Sequence, residues 1–324
     1  MRLPFIEILK KLNIKNTTEF KEEDAMFKIK EIFLASTLFI FACHVLADDE
    51  ILKPFVLGSK GAGTLEQKFE ATKLSLTSNG FSVVGNYSPY PDAEIIVVTS
   101  DELKNNAASS EHGGFGAIQR VSITKVKNEI QVSYTNPVYM ANVYRMKADL
   151  KGVLAKLETS LGRIEGFGAQ GMSANKARKY HYMIGMEYFD DPSLLATYNS
   201  YDEALNAVEK GLVTGKYGVS KVYRVDIPGK QEAVFGVGLK ATSEDQKYMD
   251  DKFIMSEIDF RDIKSTAHLP YEVLVSGKNI YALYARFRIA IDFPDLSMMG
   301  SNSFMNIMST PEAIRKALQQ TVNP

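Results

Sequence analysis

Four methionines fall within sixteen residues, at Met298, Met299, Met305 and Met308 of "FPDLSMMGSNSFMNIM". Thioethers are soft ligands that select Cu(I), and spacings of this order along a turn or helix let several sulfurs converge on one ion. Packing is the competing reading, because methionine also fills irregular cores and interfaces. Copper is therefore the alternative cofactor reading; no other cofactor is implied by the residue types present.

The remaining chemistry is sparse. His44 lies in an apolar N-terminal run, and His112, His181 and His268 stand apart, without the HxH or HxxxH spacing that brings imidazoles to one metal. His112, in the loop "SSEHGGFG", is the best placed of them. With Asn136, Tyr139 and Arg145 of "NPVYMANVYR" it makes up the candidate ligand-binding set. "LGSKGAGT" before a helix start suggests a phosphate loop, but its lysine lies between the glycines rather than after them. Neither G-x-S-x-G nor H-E-x-x-H occurs. An enzyme is disfavoured and no catalytic residue is named, although a site assembled between distant segments leaves no linear trace.

The elements that must position these residues are written twice. "TLEQKFEATKLSLTSNG" from Thr64 and "SYDEALNAVEKGLVTG" from Ser200 have helical apolar spacing, each opening on a hydroxyl N-cap with Gln67 or Glu203 three residues on. Strand patterns follow both: "FSVVGNYSPY" and "AEIIVVTS" in the first case, "GVSKVYRVDI" and "EAVFGVGLK" in the second. Then come the hairpins "QRVSITKVKNEIQVSYTNP" and "YEVLVSGKNIYALYARFRIAIDFP", the second with a longer last strand, and the closing helices from Lys147 and Thr310. "YHYMIGMEYF" reads as the first strand of the second copy. The predicted fold is α+β: two pseudo-symmetric copies of a β-α-β-β-α-β-β-α domain, each an antiparallel-rich sheet with helices on one face. Residues 48–163 form the first copy, 164–178 a linker and 179–324 the second. Aligning the hairpin exits at Pro137 and Pro294 sets Met298 or Met299 beside Met140 and Met308 beside Met146. That match favours shared packing and leaves a metal reading to the unmatched methionines.

"TLEQKFEATKLSLTSNGFSVVG", "SYTNPVYMANVY" and "LKGVLAKLETSLG", in this element order, resemble the domain-of-unknown-function family 302 over 54–162, and more weakly over 180–322. The resemblance implies small α+β domains that pair, so that a fused tandem forms its pair within one chain or self-associates. It carries over no catalytic residue.

Lys28 and Lys30 precede the apolar run Ile32–Ala47, and "DDE" follows, the pattern of a secretory signal peptide over 26–47 cleaved before Asp48. Residues 1–25 then read as an over-called start ahead of Met26, with an extension as the alternative. Cleavage removes Cys43, the chain's one cysteine, and leaves no thiol and no membrane span; lipid anchoring at Cys43 is the minority alternative. A net charge of −1 shows no bias towards nucleic acid. The expectation is a periplasmic or secreted, non-catalytic binding or accessory protein, with a small molecule or protein partner held between the two copies. A methionine-based copper-handling protein is the alternative, and an enzyme with an interface site the third reading.

Overall fold

A computed structural model describes residues 50–323. The first half runs β1 (Phe55–Gly61), α1 (Leu65–Ser78), β2 (Ser82–Tyr90), β3 (Ala93–Thr99), α2 (Asp101–Ser109), β4 (Gln119–Val126), β5 (Glu129–Thr135), α3 (Pro137–Val143) and α4 (Lys151–Leu161). A bridging segment holds β6 (Glu165–Phe167) and α5 (Ala174–Arg178). The second half runs β7 (Ser193–Thr197), α6 (Tyr201–Thr214), β8 (Val219–Asp226), β9 (Glu232–Leu239), α7 (Asp251–Ile258), β10 (Tyr271–Ser276), β11 (Asn279–Ala282), α8 (Ala285–Asp292) and α9 (Thr310–Val322).

Local chemistry explains the helix starts. Thr64 accepts from the Gln67 amide while the Gln67 side chain accepts from the Thr64 amide, which closes the expected capping box. Ser200 accepts from the Glu203 amide, but the Glu203 carboxylate reaches one residue further back, to the Asn199 amide. Gly58 lies within β1, not in an open phosphate loop, and a Cβ there would sit 2.7 Å from the Leu161 carbonyl at the end of α4.

Both sheets are antiparallel, ordered β2-β3-β4-β5-β1-β6 and β8-β9-β10-β11-β7. With β6 set aside, the strand order is the same in both. Helices α1 and α4 cover one face of the first sheet, and α6 and α9 one face of the second. The opposite faces meet the other half. β9 is therefore buried along its whole length, and β3 and β4 nearly so. A strand covered on both faces reads as a continuous apolar run, as "EIIVV" and "AVFGV" do. Where the sheets cross, a Cβ at Gly85 would lie 2.5 Å from the Val222 carbonyl oxygen, so the close approach requires glycine.

Three sequence expectations are corrected. Tyr180–Phe189 forms no strand: Gly185 takes φ +80 and the Met186 amide turns back to the Met183 carbonyl. The second half begins instead at β7, just past Pro192. The stretch expected as a linker, 164–178, adds β6 to the first sheet beside β1 and forms α5 against α3. The long last strand expected after Asn279 stops at Ala282, and α8 follows. Alternation in "YARFRIAID" mimics a strand, but the helix lets Phe287, Arg288 and Ile291 all be buried at once. α8 therefore occupies the place of α3, the hairpin exits fall at Asn136 and Tyr284, and the pairing of Met298 or Met299 with Met140 dissolves. The proposed signal peptide and the extension before it lie outside the described residues.

Candidate functional site

The β9–β10 connection sets α7 where the first half has α2, and with the insertion that lengthens it this segment reaches across to the first half. The Tyr87 hydroxyl donates to Asp251 Oδ2 at 2.6 Å, and the Leu239 amide donates to the same oxygen at 3.0 Å. Gln131 grips the loop from both ends, donating to the Asp262 carbonyl at 2.9 Å and accepting from the Lys264 amide at 3.0 Å. Thr266, fully buried, accepts from Thr124 at 3.0 Å and lies 3.3 Å from the Tyr90 hydroxyl.

Between this insertion and the β2–β3 turn lies a cleft of about 440 Å³. Tyr90, Asp92, Thr124 and Lys125 line it from the first half, and Lys252, Met255, Ser256, Asp259 and Lys264 from the second. Asp259 is the unusual member. It is buried, its Oδ1 accepts from the Ser265 amide at 2.9 Å, and its Oδ2 is buried without a partner. Burial pushes its carboxyl up to about 7, against the opposing pulls of the Ser265 amide and Lys264. Near neutrality the group can therefore donate a hydrogen bond when protonated and accept one when ionised. Lys264 Nζ is engaged with the Asp259 carbonyl at 2.7 Å, while Lys125 and Lys252 are exposed at the rim.

A second cluster locks the two halves internally. Arg120 of β4 donates to Glu272 of β10, and Arg288 of α8 donates to the same carboxylate at 2.8 Å through Nε. Arg288 also donates to the carbonyls of His268 (2.6 Å) and Pro270 (2.5 Å). His268 Nδ1 lies 2.6 Å from Asp292 Oδ2, and all five side chains are buried. Burial, reinforced by Arg288, lowers the His268 pKa to about 4 despite Asp292, so the imidazole is neutral at physiological pH. Two arginines thus face two carboxyl groups across the join. The role of this cluster is to join the halves.

The four polar residues read from the sequence are not brought together. Asn136 caps α3, accepting from the Val138 and Tyr139 amides, and donates to the Lys53 carbonyl. Tyr139 is buried and donates to the Ile291 carbonyl across the halves at 2.6 Å. Arg145 pairs with Asp190 at 2.5 Å and donates to the Arg178 carbonyl. His112 packs against Tyr281, with ring centroids 5.1 Å apart and the planes tilted by 50°. None of them lines the cleft. Its lining was missed because Thr124–Lys125 and Lys252–Lys264 are about 130 residues apart; the one available signal was that the second half carries extra residues there.

The methionines also sit where packing does not explain them. Met140 and Met146 are 3% and 1% exposed, whereas Met298, Met299, Met305 and Met308 are 42%, 73%, 49% and 62% exposed. Met298, Met305 and Met308 line a second cavity of about 370 Å³, which Met186 completes; Met299 does not line it. Among the described residues no group of three or more His, Cys, Asp or Glu could hold a metal ion, and no helix is long and apolar enough to cross a membrane. No protein-family model, curated protein or solved structure matches this chain.

Proposed function

We propose that this chain is a non-catalytic binding module that holds a small organic or inorganic anion in the cleft between its two halves. The observation that carries the reading is the cleft itself, walled by both halves and rimmed by the exposed Lys125 and Lys252. The lysines supply attraction for the anion. The common strand order of the two sheets supports reading the halves as diverged copies that pair within one chain. Export is part of the same proposal and rests on the sequence of residues 26–47.

Thermal melts with citrate, inorganic phosphate and the uncharged control glycerol test the reading. An anion present at 100 times its dissociation constant stabilises by about 2.7 kcal/mol. At 2–4 °C per kcal/mol, that raises the melting temperature by roughly 5–10 °C. The rise should vanish in Lys125→Glu/Lys252→Glu. If neither anion stabilises the chain more than glycerol does, the reading fails for these anion classes.

A further inference from the structure

We propose that the methionine-lined cavity beside α9 is a Cu(I) site built from thioethers, separate from the anion cleft. Backbone geometry brings the sulfur-bearing residues together. The Met305 amide donates to the Met298 carbonyl at 3.2 Å, and the Met308 amide to the Met305 carbonyl at 3.4 Å. Phe304–Ile307 is a 3₁₀ turn, in which side chains three residues apart eclipse, so Met305 and Met308 share one side. Met298 sits across the backbone bond from Met305, and Met186 joins them in the cavity lining.

Burial does not account for these residues. Met172, Met249 and Met255 are at most 4% exposed, like Met140 and Met146, so this chain does use methionine as core filler elsewhere. At Met298, Met305 and Met308 the side chains face the cavity and solvent, where the thioether is what distinguishes methionine from leucine. Thioethers select Cu(I) over harder ions.

Two arginines at this cavity would repel a cation were they free, and neither is. Arg286 is held by both carboxylate oxygens of Glu187, and Arg315 by both of Glu312, at 2.9 and 2.6 Å for the latter. Each arginine lowers the pKa of its glutamate, which keeps both pairs ionised and the local charge balanced. The Tyr182 hydroxyl donates to Met298 Sδ, orienting that thioether and leaving its second lone pair for a metal.

The test is anaerobic titration of Cu(I) into the full chain carrying Cys43→Ser, in competition with bicinchoninate. One equivalent should bind with a dissociation constant below about 1 μM. Thioethers have no proton to lose, so affinity at pH 5 should stay within about threefold of that at pH 7.5. Met298→Leu/Met305→Leu/Met308→Leu should weaken binding by about 100-fold or more while melting within about 2 °C of the parent, since volume is conserved at exposed sites. In the parent, Ag(I) as a diamagnetic probe should shift only the cavity methionine methyl resonances in a ¹³C-methyl spectrum, a readout that does not depend on the triple variant folding. The proposal is overturned by parent binding weaker than micromolar, by a triple variant that binds as well as the parent, by affinity that collapses at pH 5, or by Ag(I) shifting methionines elsewhere.

Discussion

Replacing Glu272 by glutamine keeps the shape of the side chain that joins the halves and removes its charge. Glu272 is buried and accepts from both Arg120 and Arg288. Glutamine keeps one oxygen that accepts but no longer supplies the charge; Arg288 keeps the His268 and Pro270 carbonyls, whereas Arg120 has no other side-chain acceptor among the described residues and its Nε is already unpartnered. Breaking a buried pair from one side costs about 3–5 kcal/mol, because the remaining charge is left uncompensated. At roughly 2–4 °C per kcal/mol, the melting temperature should fall by about 6–20 °C. Arg120→Met acts differently. It removes the arginine with one partner and leaves Glu272 paired with Arg288, so the expected loss is smaller, about 2 kcal/mol or less. Far-UV circular dichroism in a urea series is the suitable assay, since the chain has no Trp. Two results refute the reasoning: Glu272→Gln within about 1 kcal/mol of the parent, or Arg120→Met costing more than Glu272→Gln.

Two further outcomes follow from other parts of the molecule. The Asp259 carboxyl is raised from 3.8 to about 7 in the folded state, so its contribution to stability is present below about pH 4 and is lost as pH rises towards 7. Asp259→Asn keeps an oxygen for the Ser265 amide, and should melt above the parent at pH 8 by the equivalent of about 2–4 kcal/mol, the gap closing near pH 4; an equal gap at both pH values excludes a buried ionisable group as the cause. For the export proposal, N-terminal sequencing of the chain isolated from its host should begin at Asp48, whereas an intact segment 26–47 overturns it.

Short-range signals in the sequence carried most of the fold. Thr64 and Ser200 announce α1 and α6 because capping is decided within four residues, and the β4–β5 hairpin follows from alternation around Lys127-Asn128. α8 was misread because its residues alternate like a strand while tertiary contacts decide the matter: Arg288 reaches Glu272, sixteen residues back in the chain. That one error displaced Pro294 against Pro137 and turned exposed methionines into apparent core filler. The cleft was not legible, since Asp259 looks like any loop aspartate until the first half is folded over it, and the Arg120–Glu272 pair joins residues 152 apart. Asn136, Tyr139 and Arg145 stood in the candidate ligand-binding set. Each proves to be engaged by backbone or by a neighbouring carboxylate.

The central claim is that the cleft between the halves holds an anion, and the most direct measurement is native mass spectrometry of the chain purified from its own host. The account predicts an added mass that is lost on denaturation, and is absent from Lys125→Glu/Lys252→Glu melting at the parent's temperature without ligand. A clean apo chain, or the same added mass in parent and variant alike, would contradict it.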